Sequence, residues 1–591
     1  MRRRSRLLPA RLLAGLAAVS LAVTACTGNP PPPQPTEPTP TGAAEAEPDP
    51  DRIVVGVDSI EGGYNPHKLA DASTATAALA RLLLPSVFRE GPDGEPVLDE
   101  TVMDGAEVIE EDPFTVEYRI RQDAAWSDGA PIRAADFLYL AEVMRAEPGT
   151  IDPAGYRLID DIASRDGGKR VEVRFREPYP GWRSLFVNLL PGHLLKDSPG
   201  GWPDALADSF PAYGGPFAIE HRDTARGELV LERNERYWDE PAEVDRIVLR
   251  EASPQELASS LRAGSGQLAL TASPGGRRAL QRLGDEVELH TVARPEIAEV
   301  QLRAASPLLA DEHLREAVVA LLDREALLDA GAGAGEWVSA DAQVLPPSAR
   351  EYTATMPERF HAADADRAER AFGAAGYRQV DGRWQRAGGQ PLELVIGVPG
   401  EREPYGRVAE ELAGQLERHG VSVEIEPVAP RELVAIDADA PAGGPGTGVP
   451  EAGRDGMPDI AVAGRAVGHD PAATLASRMA CLAEPSGRTG GSEDGGSGEA
   501  GDSEGDPVGP VAQPRLCTAE VRSAVTEVLT GEAELAEVLD RVEPELWRRH
   551  TRIPLFQRAD TLAVTGEITG VEVGESMAGA FGSAAEWRSR R

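Results

Sequence analysis

The sequence predicts an α/β protein of mixed sheets flanked by helices, divided into two or three lobes. Three observations carry that expectation. Short β-branched runs alternate with amphipathic helical stretches along the chain. One stretch reads as a complete β-α-β unit: Leu392 to Val398, a helix over Pro404 to His419 stopped by Gly420, then Val421 to Pro427, with a right-handed crossover assumed. About 540 residues follow position 50, too many for a single hydrophobic core.

Taken in order, Arg52 to Val57 predicts a strand, as do Phe114 to Arg121 and Val171 to Phe175, the last entered through Gly167-Gly168. Helical periodicity covers Ala135 to Met144 and, as one helix, Asp311 to Leu328. Trp126 with Asp128-Gly129 predicts a tight turn in which Gly takes positive φ, Asp caps the turn and the indole packs over it. Asp437 to Asp455, rich in Ala, Gly and Pro, reads as a loop. Pro485 to Pro514 is a Gly, Ser, Glu and Asp tract that predicts a disordered insertion at about 484–514.

The N-terminus predicts export. Arg2, Arg3, Arg4 and Arg6 precede an apolar run from Leu12 to Val23, followed by Val23-Thr24-Ala25-Cys26. That run is shorter than the roughly 20 residues a helix needs to cross a bilayer, so it reads as a cleaved segment. Small residues before Cys26 resemble the lipobox of bacterial lipoproteins, which implies a signal peptide over 1–25, acylation of Cys26 and attachment to the outer face of the cell membrane. General secretion and twin-arginine export both fit. Residues 26–50, crowded with proline, read as an extended tether.

A formal net charge of −38 repels phosphate backbones, which argues against nucleic acid as a partner. With Cys26 acylated, two of the three cysteines remain, Cys481 and Cys517, and in an oxidising compartment they form a pair across the insertion; two free thiols are the alternative. A loop of that size is worth about 3 to 4 kcal/mol in the chain-entropy account. No catalytic, cofactor or metal motif is found. The nine histidines make no HExxH, no GxSxG is present, no lysine sits in a phosphate-binding loop, and Gly331 to Glu336 (GAGAGE) lacks the spacing of a dinucleotide loop. The chain reads as a binder that needs no cofactor, not an enzyme.

Several strings occur together and in order. Phe114 to Arg121, Trp126-Ser127-Asp128-Gly129-Ala130-Pro131-Ile132, Asp136-Phe137, Gly214-Gly215-Pro216-Phe217, Arg233 to Trp238 and Leu314-Arg315-Glu316-Ala317 resemble the family 5 extracellular solute-binding proteins, the oligopeptide and dipeptide receptors of ABC importers. Tyr64-Asn65-Pro66-His67, Asp152 to Tyr156, Pro178 to Arg183, Leu475 to Arg478 and Val542 to Trp547 are similar to one branch of it, the LpqW-type lipoproteins of actinobacteria. The resemblance implies a bilobal periplasmic-binding-protein-like fold of the class with an extra domain. Lobe I takes 51–66, 206–295 and 541–591, its extra domain 67–205, and lobe II 296–540.

Such a receptor closes two lobes over a solute. By position in the family pattern, the resemblance implies ligand contacts at Tyr64, Asn65 and His67, at Tyr213 and Gly214, and at Arg465, His469 and Asp470. Ala463 to Gly468 lacks the aspartate and aromatic residues that hold a peptide's amino terminus in such receptors, and Asp470 lies beyond that position. The expected partners are a peptide or glycolipid ligand and either an ABC permease or a membrane enzyme of envelope synthesis, with the chain a monomer.

Overall fold

Two strands much longer than the rest, Val287–Leu302 and Arg552–Thr565, run antiparallel through the middle of an eleven-stranded sheet. The computed structural model describes residues 52–91, 94–333, 337–400, 403–434, 456–479, 518–573, 579 and 581–590, all within one compact unit. The signal and tether, Cys26, the loop expected at Asp437 to Asp455, the insertion and both Cys481 and Cys517 lie outside these residues.

On one side of the long pair, Ile460–Ala466, Glu393–Val398 and Ser422–Pro427 follow outward from Val287–Leu302. On the other side Leu268–Thr271, Arg52–Val57, Arg246–Glu251, Glu228–Arg233 and Phe217–Asp223 follow outward from Arg552–Thr565. The predicted β-α-β unit is present: Glu393–Val398 pairs parallel with Ser422–Pro427 across the helix Tyr405–Arg418, and Gly420 stops the helix at φ 88°. A side chain there would strike the carbonyl oxygen of Gly382, so only glycine fits.

Each long strand serves two hydrophobic cores. Val292 and Leu562 belong to one, built mainly on residues 53–249. Ala298, Val300 and Leu302, with Ile553, Leu555 and Phe556, belong to the other, built mainly on residues 298–462. The stretch between these groups is where the chain passes from one core to the next.

A second, antiparallel sheet carries Met103–Glu111, Phe114–Ile120, Arg170–Phe175 and Ile159–Arg165 in that spatial order. Its buried face packs Tyr118 against Phe137, Phe186 and Trp182, with ring centroids 5.4 to 6.0 Å apart. The Trp126 turn forms as expected: Gly129 has φ 93°, its N–H donates to the Trp126 carbonyl at 2.9 Å, and the indole is buried. Asp136, at the start of helix Ala134–Ala146, ties the motif together by accepting from the Trp126 indole (3.2 Å), the Arg133 amide (3.0 Å) and the Gly192 amide (3.0 Å).

One expectation is corrected. Asp311 to Leu328 is two helices, Glu312–Ala320 and Arg324–Ala332, rather than one. Asp323 breaks the run because its carboxylate accepts the Ala326 amide (3.2 Å), satisfying a new helix start while Leu321 and Leu322 turn into the core.

Candidate functional site

Between the two cores the pairing of the long strands breaks. Ala293 lies opposite Ala559 and regular pairing resumes at Ile297 opposite Gln557, so Arg294, Pro295 and Glu296 share one facing residue, Arg558. A bulge of this kind bends the strand and turns side chains out of the pleat. Pro295 suits it, having no N–H to lose, and its carbonyl accepts the Val467 amide at 2.8 Å.

The bulge aims two charged groups. Arg294 donates to Asp560 (3.0 Å) and to the Thr74 hydroxyl (2.9 Å), and that hydroxyl donates to the same Asp560 oxygen (3.1 Å). Glu296 accepts from Arg558 at 3.1 and 3.2 Å and from the Tyr405 hydroxyl. Burial alone raises the Glu296 pKa, but the Arg558 and Arg294 guanidiniums outweigh it and hold the carboxyl below its ordinary range.

Against this crossover lies a cavity of about 330 Å³, at the small end for ligand pockets. One long strand supplies Val292 to Glu296 and the other Asp560. Helix Thr74–Leu83 presents Thr74, Ala77, Ala78 and Arg81; the turn Pro180–Ser184 adds Arg183, and the loop 466–470 adds His469 and Asp470. Ala, Val, Leu, Ile and Phe side chains make much of the remaining wall.

Contacts cross from one side of the cavity to the other. Asp152 accepts the Gly468 amide (2.6 Å) and the Thr474 hydroxyl, and the Tyr179 hydroxyl donates to Asp470 at 2.6 Å. The other Asp470 oxygen caps helix Pro471–Met479 through the Ala472 amide (2.9 Å). Gly181 lets the Tyr179 turn approach, since a Cβ there would overlap the Asp470 carboxylate. Burial raises the Asp152 pKa, against the hydrogen bonds from Thr474 and Gly468. Burial and then the neighbouring Asp470 push the Tyr179 hydroxyl far above its usual value.

The residues expected from sequence divide into two groups. His67, His469 and Asp470 line the cavity. His67 is buried, meets the Asn188 carbonyl at 2.9 Å and is lowered by burial to a pKa of about 4, so it is neutral at pH 7. His469 is exposed and lines the cavity, and desolvation by the protein around it lowers its pKa too.

The other five do not line the cavity. Tyr64 donates to the Ile60 carbonyl (2.8 Å) and stacks on Phe210, and Asn65 accepts the His67 amide (3.0 Å). Tyr213 is fixed by the Ser127 hydroxyl (2.9 Å), and Gly214 donates to the Leu83 carbonyl (2.9 Å). Arg465 spans Glu299 (3.4 Å) and the Val344 carbonyl (3.1 Å).

Sequence reading had not singled out Arg294, Glu296, Asp560, Asp152, Tyr179 or Arg183 as site residues. The one signal available for the first two was Arg-Pro-Glu interrupting an otherwise strand-like run. Among the described residues no group of three or more His, Cys, Asp or Glu could hold a metal, and no helix is long and apolar enough to cross a membrane.

The family model for bacterial extracellular solute-binding proteins, family 5, matches residues 100–481. The probable monoacyl phosphatidylinositol tetramannoside-binding protein LpqW of Mycobacterium tuberculosis is 33% identical over 97% of this chain and 96% of its own length. The oligopeptide-binding protein OppA of Mycobacterium bovis is 30% identical over 29% of this chain and 30% of its own. Solved structures of binding proteins share the fold. The oligopeptide-binding protein AppA of Bacillus subtilis, in complex with a nonapeptide, has a TM-score of 0.70 at 13% identity, covering 91% of this chain and 99% of its own. The periplasmic EDTA-binding protein EppA has a TM-score of 0.69 at 18% identity, covering 91% and 96%.

Proposed function

This chain belongs to the family 5 bacterial extracellular solute-binding proteins, and from that premise we propose that it is the lipid-anchored receptor of an ABC-type importer, taking a peptide or a related amphiphilic solute by closing two lobes over it. The observation that carries the reading is the cavity at the bulge, where both long strands pass between the two cores and Asp152 and Tyr179 bond across the opening. Hinge strands of this kind let two packed bodies rotate without repacking either core.

In this reading lobe I is 51–66, 206–295 and 541–591, with 67–205 as its extra domain, and lobe II is 296–540. His67, His469 and Asp470 contact the solute; Tyr64, Asn65, Tyr213, Gly214 and Arg465 support the walls from behind. Cys26 carries lipid on the outer face of the cell membrane, Cys481 pairs with Cys517, and no bond of the solute is made or broken. Calorimetric titration with short peptides tests the proposal: saturable binding that also raises the unfolding midpoint by mass action supports it, and the absence of both opposes it.

The 33% identity to LpqW along 97% of the chain favours a second reading, a receptor fold kept for contact with a membrane enzyme of envelope mannolipid synthesis. Crosslinking in intact membranes separates the two. Permease and ATPase subunits in the crosslinked fraction support import, and a glycosyltransferase without them supports the second.

A further inference from the structure

Each carboxylate on the cavity wall already has a partner. Asp152 and Asp470 accept the bonds that cross the opening, and Asp560 and Glu296 hold Arg294 and Arg558. Glu90 is also engaged within the protein. Asp560 keeps one buried oxygen without a hydrogen-bond partner, beside the Arg294 guanidinium that holds its other oxygen; at the other carboxylates an entering ammonium group would have to compete with a bond already made.

The donors are different. Arg81 bonds the Gly582 carbonyl (3.0 Å), Arg89 bonds Asp99 and the Leu84 carbonyl (3.1 Å), and Arg294 bonds Asp560 and Thr74. Arg183 has no hydrogen-bond or ion-pair partner among the described residues. Its guanidinium lies over the Trp182 ring, 4.3 Å from the centroid, and is exposed at the cavity wall. Stacking orients the planar fork while leaving its N–H edges open, the geometry that takes a carboxylate or phosphate oxygen pair. His469, also without a hydrogen-bond partner among the described residues, adds a neutral imidazole from the facing loop. Ala, Val, Leu, Ile and Phe side chains make much of the remaining lining.

We propose that the cavity selects an amphiphile with an anionic head, carboxylate or phosphate, received by Arg183 with His469 as a second donor, while its apolar body fills the remaining space. This rests on the solute-binding reading above and narrows its ligand class; it places no peptide ammonium in the site.

The test is calorimetric titration of the purified protein, below micelle-forming concentrations, with decanoate, decyl phosphate, decyltrimethylammonium and a C-terminally amidated tetrapeptide with uncharged side chains. Decanoate or decyl phosphate should bind at least tenfold more tightly than the ammonium compound, and whichever is tighter identifies the head. Arg183→Gln should weaken both anions roughly tenfold, the loss of about one charge-assisted bond, while Arg183→Lys keeps part of the affinity and the tetrapeptide is unaffected. Thermal unfolding checks that the variants fold. Should Arg183→Gln fail to fold, the preference of the unaltered protein for anion over ammonium decides. Equal or tighter binding of decyltrimethylammonium, or unchanged anion binding by a folded Arg183→Gln, overturns the inference. If the tetrapeptide alone binds, the inference falls and the receptor reading stands; if no probe binds, both fall.

Discussion

Asp152 accepts the backbone N–H of Gly468 at 2.6 Å, a bond between residues 316 positions apart that lie on opposite sides of the cavity opening. Both approach conditions are built in. Asp152 sits at φ 44°, a left-handed conformation that aspartate tolerates better than most residues, and a Cβ on Gly468 would come within 3.1 Å of its carboxylate. With the Thr474 hydroxyl on the same oxygen, this carboxylate ties the two segments together.

Asp152→Ala should therefore loosen the contact between these two segments. Its radius of gyration by small-angle scattering should increase, and the Tyr179→Phe variant, which loses the hydroxyl's bonds to Asp470 and to the neighbouring Ser184, should increase it less. Scattering curves that superimpose on the unaltered protein for both variants would show that neither set of bonds holds the segments together.

Glu299 offers a stability test away from the cavity. It is fully buried, and burial alone would raise its pKa, yet Arg552 (3.0 Å) and Arg465 (3.4 Å) hold it at about 2. A depressed carboxylate stabilises the fold above its unfolded value of 4.5, and that contribution disappears as pH falls toward 2. Glu299→Gln leaves two buried guanidiniums without their counterion, so urea denaturation at pH 7 should show a loss of about 3 to 5 kcal/mol. The deficit should shrink between pH 4.5 and 2; a deficit constant over that range would mean the pair is not what Gln removes.

How much of this was legible in sequence follows from how local each feature is. The unit Glu393–Val398, Tyr405–Arg418, Ser422–Pro427 and the Trp126 turn are specified by neighbours in the chain, and periodicity with one glycine marks them. The break at Leu321-Leu322 was missed because two leucines prolong the apolar helical pattern, and only the packed structure rewards the cap at Asp323. Arg294 and Asp560 were hidden for another reason. In so acidic a chain an isolated Arg or Asp reads as surface, and their pairing depends on strands 266 positions apart meeting at a bulge. His67, His469 and Asp470 came from the family pattern, not from any chemistry visible in their neighbours.

Two buried histidines set the acid limit. Burial lowers both His67 and His550 to pKa values of about 4, and for His550 Arg359, Arg367 and Arg315 add to the effect. Each is neutral in the fold and takes a proton near 6.5 when unfolded, so stability is full above pH 6.5 and falls as pH drops toward 4. The slope is up to about 1.4 kcal/mol per pH unit for each histidine. His67→Gln keeps an N–H for the Asn188 carbonyl without a titrating group, and its stability curve should be flatter by that share. Parallel curves for the two proteins between pH 6.5 and 4 would contradict the assignment.

Filling the cavity separates binding from folding. Ala77 is on the cavity-facing side of helix Thr74–Leu83 and exposed, so a larger side chain there displaces solvent, not core. Ala77→Trp should leave the unfolding free energy within about 0.5 kcal/mol, the usual range for a surface change. It should reduce the affinity for any cavity ligand at least roughly tenfold, because an indole there takes up part of a space of only about 330 Å³. Calorimetry beside thermal unfolding reads both quantities from one preparation. Undiminished affinity in a folded Ala77→Trp would move the binding site elsewhere on the protein.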